Sequence, residues 1–308
     1  MNDDAGRTQS PHSTMPLDFP TPVRRVVICI GAQKAGTSLL FDQLSNNSNV
    51  CVPPTKEVHY WDTFGGGPTR LFRRRARRQL WECVRENAIG VIGGGTAARE
   101  RFGDELALAR LRHGGISALA RYRDYLLRDY NDQPVVFEAS PGYALLPSHR
   151  LGQMARFAPD VRLLLIMRDP VERMWSAAKY LWRKRLSRGA ASQTDVEEFF
   201  FSRIKDPSSM GFRHSAYDQT LDALEKAGCR EKLHGVFLET LFTKVEINAL
   251  GEALGFLPDI KPEQKSNTHD QHFPLSGTLR AEGIKAFGQT YEAVREGFGD
   301  RVPESWHA

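Results

Sequence analysis

The sequence has no apolar run approaching the roughly 18–20 residues that cross a bilayer, which excludes a helical membrane span on pattern alone. It begins with acidic Asp3 and Asp4 and polar residues instead of a basic stretch followed by an apolar one, so no secretory leader is expected. Only four cysteines occur, Cys29, Cys51, Cys83 and Cys229, and no two form a C-x-x-C pair. That excludes a disulfide framework and a zinc ribbon, implies thiols in a reducing compartment, and makes the cytoplasm the expected location. No fixed-period repeat is visible, which argues against a solenoid, and no metal-ligand cluster stands out, so no metal is expected. Charge of one sign is also scarce: Lys and Arg total 42 against 37 Asp and Glu, a net +5 with a pI near 9.0. That balance suits an enzyme handling polyanionic cofactors and is too mild to imply a nucleic-acid partner.

Short β-rich runs alternate with longer helical patterns. Strands are expected at Val26–Ile30, Val135–Phe137, Val161–Ile166 and Val236–Leu238. Helices are expected at Thr37–Leu44, Leu71–Val84, Ile116–Arg128, Val171–Leu186, Val196–Ile204, Ser215–Ala227, Leu241–Leu254 and Leu279–Glu296. Such alternation predicts an α/β fold, a mostly parallel central sheet flanked by helices, with ligands outside the carboxyl ends of the strands. Residues 1–22, rich in Pro, Ser, Thr and Asp, read as a disordered lead-in; residues 23–308 read as a single domain. Within it, a helical insertion around residues 65–130 carries two glycine triplets, at 65–67 and 93–95, as hinges. The insertion also holds Arg70, Arg73, Arg74, Arg75, Arg77 and Arg78. This block reads either as a solvated helix face or as a contact for an anionic acceptor, a membrane surface or a polyanion.

Residues 27–40, Val-Ile-Cys-Ile-Gly-Ala-Gln-Lys-Ala-Gly-Thr-Ser-Leu-Leu, run from an apolar strand through a glycine loop into a helix start. Gly31 and Gly36 have P-loop spacing, G-x-x-x-x-G-K-[ST], but Thr37 fills the lysine position, and the lysine sits inside the loop at Lys34. Glycines let backbone N–H groups close on an anion, and a helix N-terminus adds positive potential, so a phosphate cradle is still implied. The cation now reaches a shorter anhydride than the β/γ-phosphate a Walker lysine serves. The layout G-x-x-K-x-G-T-[ST]-x-L resembles the 5′-phosphosulfate loop of sulfotransferases that use 3′-phosphoadenosine 5′-phosphosulfate (PAPS). The resemblance assigns Gln33, Lys34, Ala35, Gly36, Thr37 and Ser38 to that cofactor, with adenosine 3′,5′-bisphosphate as product.

A second segment opens at Val161, where a buried strand ends at Met167, Arg168 and Asp169 follow, and Pro170 starts a helix. An arginine fork at the strand end and the hydroxyl of Ser176, two turns into the helix, can together hold a phosphate; the plainer reading is an Arg168–Asp169 ion pair. The pattern L-L-I-x-R-D-P-x-E-R-x-x-S is similar to the 3′-phosphate motif of the same family, which gives Arg168 and Ser176 that role. Ser215-Ala-Tyr217 matches a weaker family pattern and adds Tyr217 to the expected cofactor contacts.

A third match, Lys56-Glu-Val-His-Tyr-Trp-Asp62, resembles K-E-x-H-[FY]-[FW]-D of the heparan sulfate sulfotransferase branch, where the glutamate is taken as general base. Sulfuryl transfer needs the acceptor proton removed, and a carboxylate within hydrogen-bond reach does this. The developing charge needs cations, which Lys34 and Lys56 supply. Glu57 is therefore the expected base and His59 its rival, while Tyr60 and Trp61 are expected in the core. Phe137-Glu-Ala-Ser-Pro-Gly-Tyr143 resembles the family segment E-K-[ST]-P-x-Y, with Ala139 in place of the lysine, which argues against a heparan-like acceptor. Lys265-Ser-Asn-Thr-His269 loosely resembles a cofactor-closing loop and reads better as a solvated loop. The expected activity is transfer of a sulfuryl group to an acceptor hydroxyl on a saccharide, a lipid head group or a secondary metabolite. A P-loop small-molecule kinase, or a non-enzymatic binder of anionic polymer or membrane through the arginine block, is the alternative.

Overall fold

The computed structural model describes residues 16–63, 96–113, 115–262 and 273–306, together with positions 78, 81 and 85. The run Val-Val-Ile-Cys-Ile offers no polar face, so it belongs where both sides of a sheet are covered. It forms β1 (Arg25–Gly31), the middle of a five-stranded, wholly parallel sheet ordered β2-β3-β1-β4-β5. The other strands are β2 (Val50–Cys51), β3 (Val135–Ala139), β4 (Val161–Met167) and β5 (Leu233–Phe237). Val26 pairs with Val136 on one side and Val161 on the other. The helices are α1 (Thr37–Ser45), α2 (Thr96–His113), α3 (Leu119–Leu126), α4 (Ser148–Met154), α5 (Pro170–Leu186), α6 (Gln193–Ile204), α7 (Met210–Arg213), α8 (Tyr217–Lys226), α9 (Lys244–Leu254), α10 (Gly277–Ala286) and α11 (Gly288–Phe298). Among the described residues no helix is long and apolar enough to cross a membrane.

Three expectations are corrected. Residues 16–22 are not a loose lead-in: the Leu17 N–H donates to the Phe157 carbonyl at 2.8 Å, and the Phe19 and Phe157 rings meet at 5.9 Å. Two apolar anchors outweigh the polar composition around them. The last strand runs Leu233–Phe237 instead of Val236–Leu238; Gly235, a weak strand former, stands where a Cβ would collide with the Phe298 ring. The expected helix Leu279–Glu296 is two helices broken at Phe287, which turns inward onto the Phe212 ring at 4.6 Å. Between residues 65 and 130 the described residues form α2 and α3, and Arg78 is helical. Residues 65–67, 71–77 and 93–95, Arg70 and the 265–269 loop lie outside the described residues.

α5 starts sharply because Pro170 occupies its first turn and Asp169 caps it, accepting from Val171 N at 3.0 Å and Glu172 N at 2.9 Å. The second oxygen of Asp169 accepts from Tyr291 Oη at 3.0 Å and from Arg280 Nη2 at 3.5 Å, pinning α10 and α11 to the start of α5. Asp169→Ala removes the cap and leaves a buried tyrosine hydroxyl unpaired, so a loss of about 2–4 kcal/mol is expected. Urea unfolding midpoints of the two proteins measure it.

Candidate active site

The carboxyl end of β1 delivers the glycine loop to the same sheet edge as the end of β4. The two strands are paired, and Ala32 N donates to Ile166 O at 2.7 Å. Lys34 and Gly36 both take left-handed backbone, at φ 69° and 90°. A Cβ on Gly36 would stand 2.7 Å from Leu238 Cδ1, so only glycine fits there. Gly36 is the residue before α1, and no side chain caps that helix, leaving its first N–H groups facing the loop. Lys56 Nζ donates to Ser38 Oγ at 2.5 Å, bringing a second cation to the same helix start. Lys34 Nζ lies 4.4 Å from the centre of the Tyr180 ring on α5.

Beneath this loop runs Arg173, which is fully buried. Its Nη1 donates to Gln33 O at 3.1 Å, its Nη2 to Gly211 O and its Nε to Ser215 Oγ. Among the described residues no carboxylate pairs with it; burial pulls it down to about 10, still charged at neutral pH. A buried cation answered there by carbonyls and a hydroxyl leaves net positive potential under the loop. The residues present therefore fit an anionic group at this position.

Arg168 stands at the end of β4 as expected. It does not pair with Asp169, which is committed to the helix cap; its Nη2 is 3.7 Å from Glu172 Oε2 and its side chain reaches solvent. Ser176 is half-buried two turns along α5. Tyr217 is buried, and its hydroxyl donates to Arg168 O at 2.8 Å and accepts from Arg168 N at 3.2 Å. Its hydroxyl thus holds the backbone of Arg168 in place.

The segment 56–62 is held from three sides. Glu57 and His59 both have left-handed backbone, at φ 64° and 54°, which a free chain would avoid. Glu57 N donates to Ala139 O at 3.0 Å, His59 N to Ser140 Oγ at 3.1 Å and Tyr60 N to Tyr143 Oη at 2.8 Å. Those two hydroxyls in turn donate to Glu138 Oε1, at 2.6 Å and 2.9 Å, while Tyr122 Oη donates to Oε2. Glu138 is fully buried; burial pushes its carboxyl up, and the three hydroxyl bonds work against that. From the insertion, Arg112 on α2 donates to Glu57 O and Val58 O, each at 2.9 Å. Tyr60 and Trp61 are core residues as expected, Tyr60 stacking on Tyr122 at 4.4 Å.

At the reactive end, His59 Nε2 is 3.2 Å from Glu57 Oε2 and Nδ1 is 2.7 Å from Asp62 Oδ2. Gly142 makes room for this pair, since a Cβ there would lie 2.8 Å from Asp62 Oδ2. Burial favours neutral His59, but the hydrogen bonds and charges of Asp62 and Glu57 outweigh it and raise the imidazole to about 9. His59 is thus protonated at neutral pH and unable to take a second proton, whereas Glu57 faces solvent beside Lys56 Nζ at 3.9 Å. Buried His214 differs: burial and the charges of Arg173 and Arg213 hold it down at about 3, so it stays neutral.

No protein-family model and no curated protein matches this sequence. Solved structures do. A sulfotransferase from Alicyclobacillus acidocaldarius is similar over 93% of this chain and 100% of its own, at 21% identity and a TM-score of 0.57. The fold is that of a sulfotransferase. The sulfotransferase STF9 from Mycobacterium avium matches over 90% of this chain and 77% of its own, at 14% identity and a TM-score of 0.45. Neither likeness singles out the heparan sulfate branch.

The sheet thus gathers Lys34, Lys56, Ser38, Glu57 and His59 at one edge, with Thr37 buried and Gln33 exposed in the same loop. Sequence reasoning passed over Arg112, Glu138, Asp62 and Arg173. The last three lie inside motifs it quoted, so an acid or arginine within an apolar run was the available signal; Arg112 offered none. One consequence is pH-dependent stability. The folded value of His59 lies above its ordinary 6.5, so its stabilising contribution is complete below pH 6.5 and is lost as pH rises through about 9. The stability gap between the native protein and Asp62→Asn should therefore close across that window, as followed by melting temperature from pH 6 to 10.

Proposed function

We propose that the protein transfers a sulfuryl group from PAPS to an acceptor hydroxyl in the cytoplasm. The observation that carries this is the placing of Lys56 on Ser38 at the start of α1, with Lys34 in the glycine loop before it and the buried Arg173 beneath that loop, on the side where the Glu57–His59 pair lies. Bound PAPS would supply an activated sulfuryl group. Lys34, Lys56, Ser38 and the N–H groups of α1 would hold the 5′-phosphosulfate and meet the charge that develops there. Arg168 and Ser176 would hold the 3′-phosphate.

Glu57 takes the acceptor proton. The His59 imidazolium holds one of its oxygens and leaves the other toward Lys56. Asp62 keeps His59 oriented and charged, so the histidine works as a positioning cation and the carboxylate as the base. The kinase alternative asks for a lysine at position 37, and Thr37 is both short and buried.

Two measurements test this reading. Adenosine 3′,5′-bisphosphate should raise the melting temperature far more than AMP does, and Arg168→Ala should weaken its binding by about 10–150-fold, equivalent to roughly 1.5–3 kcal/mol. Equal stabilisation by both nucleotides removes the 3′-phosphate site. For the base, Glu57→Gln should lower turnover by about 10²–10⁴-fold with cofactor affinity near native, and His59→Asn should lose less. A dead His59→Asn beside an active Glu57→Gln reverses the assignment.

A further inference from the structure

The side chain of Glu57 is 37% exposed, so packing does little to fix its direction. Its carboxylate stands against His59 by virtue of the main chain that carries it. That main chain has positive φ, which is uncommon for a glutamate. On the amino side it is held by the sheet, where Glu57 N donates to Ala139 O at the end of β3. On the carboxyl side it is held by Arg112, whose Nη2 donates to Glu57 O and whose Nε donates to Val58 O, each at 2.9 Å. Arg112 is itself buried, and its helix is anchored: Leu108 and Leu111 of α2 lie in the core, and Asp104 pairs with Arg128 at 2.7 Å.

Two N–H donors on one edge of a guanidinium meet two successive carbonyls, a grip that a lysine cannot reproduce. The peptide between Glu57 and Val58 cannot turn without breaking one of these bonds, and a buried donor left unpaired is costly. Without the guanidinium that peptide is free to turn, and Glu57 relaxes toward the negative φ that most residues prefer. The carboxylate leaves the same Cα, so it would swing away from His59 Nε2, now 3.2 Å from it.

Resting on the sulfotransferase reading, we propose that Arg112 is a positioning residue of the reaction: from α2 it fixes the main chain of Glu57, and with it the place of the carboxylate that takes the acceptor proton. It acts through the two carbonyls alone. Its role is separate from that of Asp62, which orients the imidazole from the other ring nitrogen.

The His59 imidazole reports this arrangement in the full chain with neither acceptor nor cofactor present. It is flanked by the carboxylates of Glu57 and Asp62, its charge is felt at Glu138 and His214, and its titration near pH 9 depends in part on Glu57. Followed by NMR of the imidazole nitrogens, with His59→Asn to assign the signal, that titration should fall by about one pH unit or more in Glu57→Gln. Arg112→Met, which keeps the stem and removes both donors, should lower it in the same direction. The Glu57→Gln, Arg112→Met double variant should lie no lower than Glu57→Gln alone. The sign decides the matter, because loss of a nearby cation without movement of Glu57 raises the imidazole instead. Arg112→Lys keeps the charge and meets one carbonyl, so its titration should fall between those of the native protein and Arg112→Met; it carries the test where Arg112→Met fails to fold. A titration unchanged or raised in the Arg112 variants overturns the proposal. If the titrations move as described while adenosine 3′,5′-bisphosphate gives the native protein no thermal shift, the hold on Glu57 stands and the PAPS reading falls.

Discussion

Glu138 carries a carboxylate into the core within β3, and a carboxylate there must be met by hydrogen-bond donors. Tyr122, Ser140 and Tyr143 supply them. Two of those hydroxyls are then fixed with their remaining capacity pointing one way, and they accept the N–H groups of His59 and Tyr60. A buried carboxyl group thus dictates the backbone of the segment that bears Glu57. The left-handed conformations at Glu57 and His59 persist because this network over-determines them. Removing the Glu138 carboxyl group would loosen the Glu57–His59 segment from behind.

The parts of the molecule that were legible in the sequence are those whose signal is local. The run from Val26 to Gly31 announces a doubly covered strand, the two glycines announce the loop, and Pro170 after Asp169 announces a helix start. From these, the α/β architecture and the shared edge of Lys34 and Arg168 follow. What was not legible depends on partners far along the chain. The hold of the Tyr217 hydroxyl on the Arg168 backbone, 49 residues away, shows only in the fold. Leu17 and Phe19 sit in a polar stretch and reveal themselves only against Phe157. Arg112 lies in a helix whose sequence gives no hint that two carbonyls 54 and 55 residues away need it.

In the function proposed here, the glycine loop would hold an anion differently from a Walker loop. A lysine after the second glycine would extend from α1 itself. Here the α1 position is a buried Thr37, and the cations arrive from Lys34 in the loop, Lys56 across from it and Arg173 underneath. Cations so placed would suit a compact anion better than a chain of phosphates. They also leave one side open, where Glu57 and His59 stand.

The bonds from Arg112 to the Glu57 and Val58 carbonyls have a consequence for how the fold can vary. α2 lies outside the sheet, yet it grips the main chain at Glu57 and Val58. A different insertion grafted onto this sheet would inherit the obligation to supply a guanidinium at that spot. A shift of α2 would therefore carry the backbone of Glu57 with it.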